Sequence, residues 1–202
     1  MPELVSSTPA VLAAIAIGYL LGSIPSGLII ARWMNLGNLR EIGSGNIGAT
    51  NVLRTGSKLA ALLTVIFDAG KGAAAVLIAR FAWGEDAAQI AGFCAFLGHL
   101  FPIWLGFRGG KGVATFLGIM LALYWPVGVA CCATWLFFAV TLRWSSLAAL
   151  ASAGGSTIWM FVFAHGETFF IGVALTLLIY WRHLENIKRL EAGTEPKIGQ
   201  KE

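Results

Sequence analysis

VATFLGIMLALYWPVGVACCATWLFFAVTL, residues 113–142, is the stretch on which the fold turns. It exceeds the roughly 20 apolar residues, range about 17–25, that one membrane span needs, yet it is short for two. Pro126 lies near its middle beside Trp125, a residue type that favours membrane interfaces. Two short helices meeting at Trp125-Pro126 fit the run, and so does one tilted span. On either side lie five further apolar runs, Pro9–Ala31, Leu59–Ala79, Ala87–Leu105, Ser145–Ala164 and Thr168–Trp181.

Charge decides between the two. Basic residues near membrane spans accumulate on the cytoplasmic side. Arg32, Arg40, Arg54 and Lys58 follow the first run, whereas the next loop carries Arg80, Glu85 and Asp86. Arg108 and Lys111 come next, and the tail holds Arg182, Lys188, Arg189, Lys197 and Lys201. Lys111 and that tail share a side only if an even number of crossings separates them, which requires residues 113–142 to cross twice. The expected fold is an all-α integral membrane protein with about seven transmembrane helices, some of them short. Its N-terminus is outside and its C-terminus cytoplasmic, and residues 1–202 form a single polytopic domain. A re-entrant loop around Lys111 is the alternative.

Composition agrees. The 202 residues are 57% hydrophobic and 12% charged, against about 25% charged in soluble domains, and the mean hydropathy is +0.77. The net charge of +4 lies mostly beside apolar runs, so it orients the chain in a bilayer and does not indicate nucleic acid. Glu3 is the only charge before the first run, which is also too long for a signal peptide's apolar region, so a permanent span is expected there. Cys94, Cys131 and Cys132 sit in apolar runs without ligand-like spacing, as packing residues do. Asp68 and Lys71 lie inside the second run. They are spaced to meet on one helix face, as an internal ion pair or with the lysine turned to a substrate.

Three polar islands interrupt the apolar sequence. The first, Gly43-Ser44-Gly45-Asn46-Ile47-Gly48-Ala49-Thr50-Asn51, is followed by Arg54. Its glycines allow the tight backbone in which N–H groups converge on an anion, and its hydroxyl and amide side chains add donors. The second, Gly106-Phe107-Arg108-Gly109-Gly110-Lys111-Gly112, opens a helix whose N-terminus also suits an anion. It lacks the spacing of a Walker A loop. The third begins at His183, with Asn186 and Arg189 following on one helical face. Histidine suits proton transfer near neutral pH. Nothing resembles a carboxylate-rich metal site, an HxxxxD acyltransferase pair or a GxSxG elbow. Ser44 has no base near it in sequence, which disfavours a covalent acyl-serine.

At these residues the chain resembles the PlsY family, the bacterial membrane acyl-phosphate:glycerol-3-phosphate acyltransferases. The resemblance covers nearly the whole chain. It rests on Gly43 through Arg54, on Gly98-His99-Leu100-Phe101-Pro102 through Gly109-Gly110-Lys111-Gly112-Val113-Ala114-Thr115, and on His183 through Asn186-Ile187, Arg189-Leu190, Gly193, Glu195 and Lys197. Asp68-Ala69-Gly70-Lys71-Gly72 also resembles a family feature. Asn38, Leu184 and Ala149 depart from aspartate, arginine and serine common in relatives.

The resemblance implies transfer of a fatty acyl group from acyl phosphate to the sn-1 hydroxyl of glycerol 3-phosphate. The products are lysophosphatidate and phosphate, and the step belongs to phospholipid biosynthesis at the cytoplasmic face of the bacterial inner membrane. It implies no cofactor and no metal, and a soluble enzyme that supplies acyl phosphate as a possible partner. Under it, Ser44, Asn46, Gly48, Ala49, Thr50, Asn51, Gly109, Gly110, Lys111 and Gly112 take the acyl phosphate. Arg54, Lys111, Ser146, His183 and Asn186 take glycerol 3-phosphate. Ser44, Arg54, Lys111, His183 and Asn186 form the catalytic set, with the proton accepted by His183 or by the substrate's own phosphate. The rival reading is an organophosphate or lipid transporter, which places its site near the midplane and often shows internal repeats. No repeat is evident here.

Overall fold

The structure, a computed structural model, describes residues 3–200. All regular structure among these residues is helical. The first apolar run forms α1 (Thr8–Gly22) and α2 (Ser26–Trp33), not one continuous helix. The break falls at Ser23-Ile24-Pro25, because Pro25 has no N–H to continue the ladder. The carbonyl of Ile24 instead accepts from Lys71 Nζ at 2.8 Å. α3 (Ala49–Leu53) is a single turn in the first island. α4 (Lys58–Trp83) is the longest helix, with the Ser57 hydroxyl capping its first turn through Ala60 N–H.

α5 (Glu85–Leu100) returns beside it and ends before Pro102. Residues 113–142 then form two helices, α6 (Val113–Leu123) and α7 (Trp125–Thr141). Tyr124 between them is extended, with Pro126 in the first turn of α7 where a missing N–H costs nothing. The Arg80 guanidinium closes the end of α6, bonding the carbonyls of Ala122 and Leu123 while pairing with Glu85. α6, with 11 residues, is about 16 Å long, roughly half of a bilayer's hydrocarbon core. α8 (Ser145–Val162), α9 (Phe169–Arg182) and α10 (Leu184–Glu191) complete the chain.

Among the described residues, four segments are long and apolar enough to cross a membrane, namely Thr8–Trp33, Lys58–Trp83, Glu85–Leu105 and Ser145–Val162. In lipid there is little hydrophobic drive between helices, so close van der Waals contact must hold them. Gly18 and Gly22 of α1 lie directly on the backbone at Ala91 and Ala95 of α5. Gly118 of α6 lies on that of Ala69 in α4. A Cβ at any of these glycines would overlap the facing helix. Phe96, Leu100, Phe116, Ile119, Leu175 and Ile179 are buried between α5, α6 and α9. This packing brings the segments before α3, before α6 and after α9 to one end of the molecule.

Candidate active site

The first island is built around Asn51, which is 2% exposed. Its amide donates to the carbonyls of Leu39 at 2.9 Å and Asn46 at 2.8 Å. Its Oδ1 accepts the Ser44 N–H at 3.2 Å. Asn51 therefore holds the loop's shape, and neither its side chain nor the Ser44 amide is left for a ligand. Gly43 has φ +50, and the Arg54 side chain lies where a Cβ would be. Arg54 thus turns back across the island. The first amides of α3 have no intrahelical carbonyl to bind, and Gly48, Ala49 and Thr50 face the same space as Arg54.

The second island differs from the sequence expectation. Gly109 and Gly110 donate their N–H groups to the carbonyls of Leu100 at 3.0 Å and His99 at 3.1 Å. Their own carbonyls accept from Arg182 at 3.3 and 3.2 Å. These two glycines are not among the residues lining the cavity, and their N–H groups are already bonded. They let the loop lie against the end of α5 and the His99 ring, where a Cβ would not fit. Gly112, at φ +82, starts α6 under the Phe96 ring and does line the cavity. Arg40 links the first two islands by bonding the carbonyls of Gly45 and Arg108.

The third island supplies a side-chain network. Lys111 Nζ donates to Asn186 Oδ1. Asn186 Nδ2 donates to Glu195 Oε1 at 2.7 Å, Ser146 Oγ to the same oxygen at 2.6 Å, and Arg189 Nε to Oε2 at 2.7 Å. These three hydrogen bonds outweigh burial and hold the Glu195 carboxyl below its usual range. Burial, and then the charge of Arg189 with those of Arg182 and Arg54, push Lys111 down to about 8 against the pull of Glu195. His183 Nδ1 lies 2.8 Å from the Ile179 carbonyl. A carbonyl only accepts, so Nδ1 carries the proton and Nε2 keeps its lone pair. Burial and then Lys111 lower His183 to about 4, so it is neutral at pH 7.

All three islands open on one cavity of about 1550 Å³. It brings together Ser44, Asn46, Gly48, Ala49, Thr50, Asn51, Arg54, Lys111, Gly112, Ser146, His183 and Asn186. Gly109 and Gly110 are behind its wall. The same cavity has apolar lining from Val65 of α4, Leu117 of α6 and Trp135 of α7. Glu195, Arg182 and Arg40, to which the sequence alone assigns no role in the site, organise the cavity. Glu195 stands in the tail between Glu191 and Lys197, and nothing in that spacing signals that three donors converge on it. Residues 194–198 fold back over the cavity, with Ile198 N–H bonded to the Arg143 carbonyl at 2.7 Å and Trp144 Nε1 to that of Glu195 at 3.1 Å.

The helices and the cation-lined, part-apolar cavity at one end of them define an integral membrane protein with a candidate site there. Comparison with known proteins narrows this. A family model described as Glycerol-3-phosphate acyltransferase matches residues 12–193. Glycerol-3-phosphate acyltransferases of Ruegeria sp. and Cereibacter sphaeroides are 63% and 59% identical over 201 residues, covering 100% of this chain and 100% and 96% of theirs. The crystal structure of PlsY (YgiH), an integral membrane glycerol 3-phosphate acyltransferase, in its glycerol 3-phosphate form has a TM-score of 0.88 at 37% identity, over 94% of this chain and 96% of that one. Its lysophosphatidic acid form has a TM-score of 0.86 at 36% identity, over 94% and 95%. The chain belongs to the glycerol-3-phosphate acyltransferase family, PlsY.

Proposed function

We propose that this protein transfers a fatty acyl group from acyl phosphate to the sn-1 hydroxyl of glycerol 3-phosphate, releasing lysophosphatidate and phosphate for phospholipid synthesis. The observation that carries this reading is the single cavity, cationic and rich in donors at one part and apolar at another. Two phosphorylated substrates need the first, and an acyl chain needs the second. The charge pattern supports a cytoplasmic position for this end of the bundle at the inner membrane, with about seven crossings in one polytopic domain as the reading that fits it.

The residues divide the work. Gly48, Ala49, Thr50 and Ser44 receive the acyl-phosphate head. Arg54, Lys111, Asn186 and Ser146 receive glycerol 3-phosphate, with Lys111 placed to neutralise charge on the departing phosphate. The hydroxyl oxygen attacks the acyl carbonyl carbon, the bond from that carbon to the phosphate oxygen breaks, and phosphate leaves. Acyl phosphate is already activated, so positioning and charge stabilisation suffice.

The environment of His183 favours a particular path for the proton. Its Nε2 suits accepting the substrate hydroxyl, but a base of about 4 holds a proton weakly beside a phosphate whose second pKa is about 6. The proton therefore ends on the departing phosphate. His183→Ala is expected to lower kcat by about 10²-fold while leaving the acidic limb of the pH–rate profile in place. A limb that flattens makes His183 the base. On the basic side, Lys111 loses its charge as pH rises through about 8, so KM for glycerol 3-phosphate should climb there. Lys111→Arg, whose guanidinium stays charged, should remove that climb.

The deciding experiment is phosphate release by the purified protein in detergent, given palmitoyl phosphate with and without glycerol 3-phosphate. Release that depends on glycerol 3-phosphate and yields lysophosphatidate supports the reading. No release under conditions where a related enzyme works, with acyl-CoA or acyl carrier protein also inactive as donors, overturns it and leaves transport in sealed vesicles as the test.

A further inference from the structure

Three ionisable side chains are buried among the helices and have no part in the chemistry above. Asp68 and Lys71 of α4 pair at 2.7 Å, and His99 near the end of α5 brings Nδ1 to 3.6 Å from the same Asp68 oxygen. At the last distance the carboxylate lies against the ring, too far for a hydrogen bond. All three are under 10% exposed, at 2%, 8% and 4%. Ionisable groups at such positions are costly and mark function more often than packing.

The surroundings show what the group holds. At one end, Lys71 Nζ bonds the Ile24 carbonyl freed by the break between α1 and α2. At the other, the carbonyl of His99 accepts the Gly110 N–H, and its imidazole presses on Gly110, so that a methyl added there would meet ring atoms of His99. The residue after Gly110 is Lys111. Asp68 and His99 also border the cavity beneath it. Arg182 fixes the outer side of the same loop through the Gly109 and Gly110 carbonyls.

We infer that Asp68 and His99 are positioning residues for the phosphate site. Asp68 holds the His99 ring, the ring and its carbonyl set the Gly110 backbone, and that backbone sets where the Lys111 ammonium stands. Lys71 anchors this support to the broken first span. A shift of about 1 Å in a group that binds a reacting substrate can cost on the order of 10²-fold, so a buried support of this kind is legible in kinetics. The inference rests on the reading of Lys111 as a glycerol 3-phosphate ligand.

Asp68→Asn and His99→Ala test it, with Gly110→Ala and the double variant His99→Ala/Gly110→Ala. Each single variant is expected to raise KM for glycerol 3-phosphate about tenfold. The double variant should be no worse than His99→Ala alone, because the added methyl then meets no ring. Gly110→Ala keeps the buried charges intact and so answers the question even if Asp68→Asn fails to fold. An unchanged KM for glycerol 3-phosphate, with only kcat and thermal midpoint reduced, overturns the inference, and so does a Gly110→Ala penalty that adds in full to that of His99→Ala. If the wild-type protein itself transfers no acyl group, the proposed function fails instead. The same variants are then compared by the thermal stabilisation that glycerol 3-phosphate or inorganic phosphate gives. Its loss supports positioning of an anion site, and its retention overturns it.

Discussion

Lys111→Met is expected to lower kcat/KM for glycerol 3-phosphate by about 10²–10³-fold, the size seen when one donor to a developing charge is removed. Methionine keeps the length and apolar stem of lysine, so the change isolates the ammonium. That ammonium donates to Asn186 Oδ1 and lies under the charges of Arg189, Arg182 and Arg54. A cation held among cations and taken out of water is disfavoured unless an anion lies beside it, in keeping with its lowering to about 8. Removing it should therefore leave the thermal midpoint level or raise it, while activity collapses. That opposition is the trade-off expected where a site is built for a ligand and not for stability. Steady-state kinetics and thermal denaturation on the same preparations check it. A loss under about tenfold, or a fall in midpoint matching the loss of activity, counts against Lys111 as a phosphate ligand.

Glu195→Ala has the second large expectation, and for the opposite reason. Its carboxylate, 6% exposed, accepts from Ser146, Asn186 and Arg189 at once. Asn186 in turn holds Lys111. Breaking a buried ion pair by removing one partner costs about 3–5 kcal/mol, because the other charge is left uncompensated. The variant should lose most of its activity and also fall in thermal midpoint, with detergent-solubilised yield reduced. Because Arg189 is 39% exposed on its side chain, water recovers part of that penalty. The expected stability loss is therefore at the low end of the range. Glu195→Gln, which can still accept from Ser146 and Asn186, should retain more activity than Glu195→Ala. Equal kinetics for the two would show that the charge, and not the acceptor geometry, organises the site.

Much of this site was legible in the linear chain. Ser44, Gly48, Thr50, Arg54, Lys111, His183, Asn186 and Ser146 were all singled out, and all reach one cavity. All but Ser146 are legible because a membrane chain places polar residues and glycines in clusters only where backbone must be exposed or an ion held; Ser146 lies outside those clusters and follows only from the family resemblance. What was not legible is which donors remain free. Gly109 and Gly110 look like an anion nest, yet their amides are bound to the end of α5. Asn51 looks like a ligand-facing amide, yet it closes the loop on itself. Arg40 and Arg182 read as topological charge, yet each bonds backbone carbonyls and so ties one island to another.

The break in residues 113–142 follows from local chemistry. Proline tolerates the first turn of a helix and not its interior, so Pro126 marks a start, and α7 begins at Trp125. Pro25 carries the same signal, and the first run, still one candidate span over Thr8–Trp33, divides into two helices there. Apolar run lengths, glycine clusters and the side carrying arginine and lysine are properties of the chain alone, because the bilayer imposes them segment by segment. The bonds of Lys71 to the Ile24 carbonyl and of Ser146 to Glu195 join residues far apart in sequence, and those of Gly110 to His99 and of Asn186 and Arg189 to Glu195 depend on how the chain between them turns. Only helix packing brings those groups within hydrogen-bonding range, and only then is it settled which polar atoms are satisfied by the protein and which are left for a substrate.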